Sequence, residues 1–63
     1  MTAERREVIF EFHRVGKAVK VSAVDVASGV EVSIVGDPAA GEIALKRIAE
    51  RKLAYVLARK GRE

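Results

Sequence analysis

Arg47, Arg51, Tyr55 and Arg59 recur every four positions near the end of this 63-residue sequence. On a helix that spacing strings them along one side, with Arg62 close by if the helix persists. Guanidinium groups with an interleaved aromatic ring could grip phosphates and stack a base or an acidic loop. The row is therefore the candidate nucleic-acid or acidic-partner surface, and Arg14 and Lys17 near a turn would add to it. The competing reading is a solvated helix face. In it Tyr55 lies under arginine stems, and Glu50 offsets charge by pairing with Lys46 and Arg47. The solvated face is the preferred reading.

Other chemistry finds few residues to carry it. Nucleophilic catalysis needs a serine, cysteine or lysine beside a base that a third group orients. There is no cysteine, and His13 is the only histidine, with no serine placed to meet it. Its expected role is structural or merely exposed. Glu11 and Glu31 share a sheet face but fall on opposite edge strands of an open sheet, with no pocket to dry them for acid or base work. The usual Cys and His zinc clusters are excluded, and the five glycines fall singly, without the spacing of a phosphate-cradling loop. We expect no catalytic residue, no cofactor and no metal site, and a chain that is not an enzyme.

Composition narrows the class further. A 49% hydrophobic share with 33% charged residues is that of a folded chain and not a disordered one. One domain is the most that this length accommodates, and its core contributes only a few kcal/mol by itself. Without disulfides or zinc, oligomerisation is the remaining stabiliser. No apolar run approaches a membrane span, and the charged start of the sequence has no apolar segment behind it, so the expected location is the cytoplasm with no membrane partner. A formal net charge of +3 permits nucleic-acid partners without requiring them.

The elements that must position these residues follow from periodicity. Three segments alternate apolar and polar side chains, which predicts strands over about 7–14, 17–25 and 30–35, after a flexible lead at 1–6. A four-residue loop ending at Gly29 pairs Ala23 with Val32 and Val21 with Ile34, and sets Ser22 opposite Ser33. A two-residue turn at Val15 and Gly16 would place Phe12 beside Val19, Phe10 beside Val21 and Glu11 against Lys20. Asp37 followed by Pro38 could open a helix, although Gly41 weakens so early a start. The secure helix runs from about 42 to 60, closed by Gly61 as the residue after it. Leu45, Ile48, Ala49, Leu53, Val56 and Leu57 form its apolar stripe, which must cover the Phe10, Phe12, Val21 and Ile34 face. Lys52 falls near the middle of that stripe, so it either snorkels past the sheet edge or marks a rotated helix. The expected fold is α+β: a three-stranded antiparallel meander with one C-terminal helix on one face, βββα.

The opposite face carries Ile9, Val24 and Val35 among Glu11, His13, Lys20, Ser22, Glu31 and Ser33. That mixed face, the two unpaired sheet edges, an overhanging last helical turn and Ile43 together point to self-association as a homodimer.

Over nearly its whole length the sequence resembles a family of very short uncharacterised alphaproteobacterial proteins. The resemblance lies in GluValIlePheGluPhe at 7–12, ValLysValSerAlaValAsp at 19–25, SerGlyValGluVal at 28–32 and ArgLysLeu at 51–53. It implies a domain of unknown function. The element order is similar to that of AP2-type and integrase N-terminal DNA-binding domains, but the face that those domains turn to DNA carries Glu11 and Glu31 here. The end of a double-stranded-RNA-binding domain is similar too, yet Asp37-Pro38-Ala39-Ala40-Gly41 stands where its lysine cluster would be. The leading expectation is a non-enzymatic protein-interaction module, homodimeric, binding through its sheet edge or helix. The alternative is a nucleic-acid binder using Arg47, Arg51, Tyr55 and Arg59.

Overall fold

The computed structural model describes residues 7–61. The chain runs β1 (Val8–Val15), β2 (Ala18–Asp25), β3 (Glu31–Gly36), a short 3₁₀ turn (Pro38–Ala40) and α1 (Glu42–Gly61). The strands form one antiparallel sheet in the order β1-β2-β3, with α1 on one face. The expected βββα architecture is therefore what the chain adopts. Residues 1–6, expected to be flexible, and Arg62 lie outside the described residues.

The second hairpin has the predicted register, with Ala23 opposite Val32, Val21 opposite Ile34 and Ser22 opposite Ser33. Its loop is held by Asp25, which is fully buried. The Ser28 hydroxyl and amide donate to Asp25 Oδ2 at 2.6 and 3.1 Å, and Gly29, at φ 78°, donates its amide to the Asp25 carbonyl at 2.8 Å. Only glycine adopts that φ at no steric cost.

The first hairpin corrects the expected register. Val15 pairs with Ala18, so the turn is Gly16-Lys17, and Phe12 faces Val21, Phe10 faces Ala23 and Glu11 faces Ser22. Lys20 stands opposite His13 and not Glu11. Gly16 has φ 62° and Lys17 does not have positive φ, the pattern of a type II′ turn, in which glycine takes the first central position and not the second. The slip is two residues, so every side chain keeps its predicted face.

Between sheet and helix, Asp37 caps the 3₁₀ turn through Oδ1, which accepts from the Ala39 amide at 2.9 Å, with Pro38 following it. Gly41, at φ 91° and ψ 153°, ends that turn, and its carbonyl accepts from the Leu45 amide at 3.1 Å to begin α1. The early start and the glycine break are thus both present, as two separate elements. Gly61 is the last residue of α1 rather than the first beyond it.

Val19, Val21, Ala23, Val32, Leu45, Ala49 and Leu53 form the buried core. The helix does not cover the sheet evenly. It lies over β2 and β3, where Ala23 and Gly36 leave room, and leaves Phe10 and Phe12 on β1 only half-buried. At Gly36 a Cβ would come within 2.5 Å of the Leu45 Cδ2, so the helix sits directly on backbone there. One stripe assignment and the expected overhang change accordingly. Ile48 is 48% exposed, because it sits one turn before Lys52 on the flank of the helix nearer the β3 edge. Val56 and Leu57 do not overhang: both pack against the core, whose apolar face is lengthened by Val8 and Val30.

Candidate interaction surface

The row on α1 is present as a line but not as a site. Arg47, Arg51, Tyr55 and Arg59 are all exposed. The structure brings only the last two together: Arg59 Nη1 donates to Tyr55 Oη at 3.2 Å, and the Arg59 guanidinium lies 5.7 Å from the centre of the Tyr55 ring. This cation–π contact occupies one face of the only aromatic ring in the row. The pairing expected of Glu50 with Lys46 and Arg47 does not form among the described residues, and Lys46 instead stands 5.4 Å from the Phe10 ring. Arg14 and Lys17 do not extend the row. Arg14 lines a cleft of about 230 Å³ with Phe12, Val19, Pro38, Glu42 and Leu45, while Lys17 borders a separate, open hollow with Val15, Val35 and Asp37. The cleft is smaller than the 300–1,000 Å³ that small-molecule sites usually offer.

On the helix-free face, His13 and Glu11 are each 62% exposed, with Nε2 and Oε1 3.6 Å apart. The hydroxyls of Ser22 and Ser33 share a hydrogen bond at 3.1 Å. Among the described residues no three His, Asp or Glu side chains come together as a metal would require, and no helix is long and apolar enough to cross a membrane.

The two open sheet edges differ, and sequence reasoning did not separate them. In an antiparallel pair, opposed residues alternate between those that bond to the partner strand and those whose N–H and C=O point away. Val30 accepts from the Asp25 amide at 2.9 Å, which fixes the alternation so that Glu31, Ser33 and Val35 turn their backbone groups to the outer edge of β3. Lys52 meets them there: its Nζ donates to the Ser33 carbonyl at 2.9 Å. The snorkelling expected of Lys52 is thus what its side chain does. A lysine across a short strand that runs into Gly36-Asp37-Pro38 is a usual way of blocking strand addition.

The β1 edge has no such guard among the described residues. Glu7 accepts from the Val26 amide at 3.1 Å, so the same alternation turns the backbone groups of Val8, Phe10, Phe12 and Arg14 outward. This strand is eight residues long, has neither proline nor bulge, and carries Phe10 and Phe12, which α1 covers only in part. On its other side Ile9 and Val15 are 49% and 55% exposed.

The chain belongs to the DUF6898 family, described as a domain of unknown function, whose family model matches residues 5–60. No curated protein and no solved structure matches it.

Proposed function

We propose that this member of the DUF6898 family is a non-enzymatic protein-interaction module of the cytoplasm, which takes an extended segment onto the open edge of β1. The observation that carries this reading is the contrast between the edges: β3 is closed by the bond from Lys52 to Ser33, while β1 presents four residues' worth of outward backbone groups beside two half-buried phenylalanines. Strand addition draws affinity from main-chain hydrogen bonds and selectivity from alternate side chains. Here the alternate side chains of an added strand would face Phe10 and Phe12 on one side and Ile9, Glu11 and His13 on the other.

The test is titration with a panel of extended peptides of alternating apolar and polar residues, followed by amide resonances and hydrogen exchange. The expected response is protection of the Val8, Phe10, Phe12 and Arg14 amides, which point away from β2. Responses confined to α1, or no response at β1, would defeat the proposal. Nucleic-acid binding through Arg47, Arg51, Tyr55 and Arg59 is the alternative, supported by the exposure of all four along one line.

A further inference from the structure

Resting on the reading of β1 as a docking edge, we infer that its occupant is a second copy of this chain, joined β1 to β1 with Phe12 opposite Phe12. The two sheets would then become one six-stranded antiparallel sheet, related by a two-fold axis, with both helices on the same face. The self-complementarity of β1 sets the register. Its outward backbone groups belong to the even-numbered residues Val8, Phe10, Phe12 and Arg14. Donors therefore meet acceptors only where even-numbered residues oppose even-numbered ones.

Four such registers overlap by five residues or more, and the one centred on His13 sets Glu11 across from apolar Val15 and leaves Phe10 outside the paired segment. Setting Phe10 opposite Phe12 puts Glu11 directly across from the partner's Glu11, and like charges directly opposed are destabilising. Centring on Phe10 sets Glu11 across from apolar Ile9 and carries Val15 past the paired segment. Centring on Phe12 avoids these faults. On the helix-free face each Glu11 lies across from a His13, and the exposed Ile9 lies across from the exposed Val15, twice each by symmetry. On the helix side Phe12 meets Phe12, and Phe10 meets Arg14, whose guanidinium can lie on the ring. About six new backbone hydrogen bonds join the copies. The off-centre seat of α1 over β2 and β3 leaves the space above β1 that this pairing needs.

The absence of cysteine makes the register measurable. Glu11→Cys and His13→Cys alter exposed positions, where folding tolerates change. In the Phe12-centred register these two positions are directly opposed, about 4.5 Å apart between Cα atoms, which lies within disulfide range. Under mild oxidation, an equimolar mixture of the two variants is expected to form covalent dimer at least about tenfold faster than either variant alone, since like positions are then only diagonal neighbours. Fast self-linking of E11C would overturn the register. Sedimentation of the unaltered chain across a dilution series gives the second readout, and a strict monomer at every concentration would overturn the dimer. If that monomer's β1 amides still respond to the peptide panel, the docking edge survives and only the identity of its occupant falls. If they do not, both readings fall.

Discussion

Replacing Gly36 with alanine tests what holds α1 in its off-centre seat. The residue lies opposite Val19 on the helix side of the sheet, and an added Cβ would sit 2.5 Å from Leu45 Cδ2 and 3.8 Å from Leu45 Cγ. Ordinary carbon contacts lie at about 3.5–4.0 Å, so Leu45 or the whole helix must retreat by roughly 1–1.5 Å. Leu45 is only 3% exposed, so its methyl can give way only toward the cleft beside Phe12 and Pro38. Overpacking of this kind costs about 1–3 kcal/mol. Alanine restricts the unfolded chain and returns about 0.4–1 kcal/mol. The net expectation is destabilisation by about 1–2 kcal/mol, which for a domain of this size lowers Tm by roughly 5–15 °C.

Urea and thermal unfolding followed by circular dichroism measure that change, and a double-mutant cycle assigns its cause. Leu45→Ala alone should cost about 2–5 kcal/mol by opening a cavity. In the double variant the methyl introduced at position 36 enters that cavity, so the combined loss should fall short of the sum by at least about 1 kcal/mol. A Gly36→Ala variant as stable as the parent would refute the close seating of helix on backbone. Strict additivity would show that Leu45 is not what the new methyl meets.

Three other residues give independent checks, and the arginine row a fourth. Asp25→Ala removes a buried carboxylate oxygen that accepts from the Ser28 hydroxyl and amide, and should cost about 2–3 kcal/mol in urea unfolding; a loss below about 0.5 kcal/mol would mean that the loop does not depend on it. Lys52→Ala should change stability by no more than about 1 kcal/mol, since its bond to Ser33 is exposed, yet should raise light scattering at high concentration by opening the β3 edge. Unchanged scattering would show that Lys52 does not guard that edge. Gly41→Ala forces a side chain into φ 91°, ψ 153°, and unfolding should show a loss of about 1–3 kcal/mol unless the α1 start rearranges without strain. For the arginine row, the interaction-module reading expects no retention of generic DNA or RNA at low salt. Binding that weakens steeply with salt and disappears in R47E/R51E/R59E would favour the alternative.

Much of the fold was legible because each strand alternates and each turn contains a glycine. The second hairpin was fixed by Gly29, since a four-residue loop keeps Val21, Ala23, Val32 and Ile34 on one face and leaves Ser22 with Ser33, whereas a three-residue loop mixes the faces. The first hairpin lacked that discrimination. Placing Gly16 first or second in a two-residue turn shifts the pairing by two, and both choices keep the faces intact. Type II′ geometry decides between them, and alternation does not register it. The difference between the two edges was missed for a related reason. Both outer strands read as unpaired edges, and the difference between them depends on Lys52 reaching Ser33 across nineteen positions of sequence.

A signal for that difference was nevertheless present. A helix stripe gives the direction in which a helix faces the sheet but not its sideways position over the strands. The sideways position follows from side-chain size on the sheet: Phe10 and Phe12 stand on β1, against Ala23 on β2 and Gly36 on β3, so close packing seats the helix on the low side. A lysine inside an apolar stripe is then the mark of the flank that reaches an open edge, because its stem can be buried only where its ammonium group finds water and a carbonyl. Taken together, the size gradient and Lys52 place α1 toward β3 and leave β1 open. Packing of the core and exposure of the β1 edge are thus one arrangement. A substitution that pushed the helix toward β1, such as a bulky residue at position 36, would be expected to weaken association along with stability, whereas Asp25→Ala, at the loop end of the sheet, should lower stability alone.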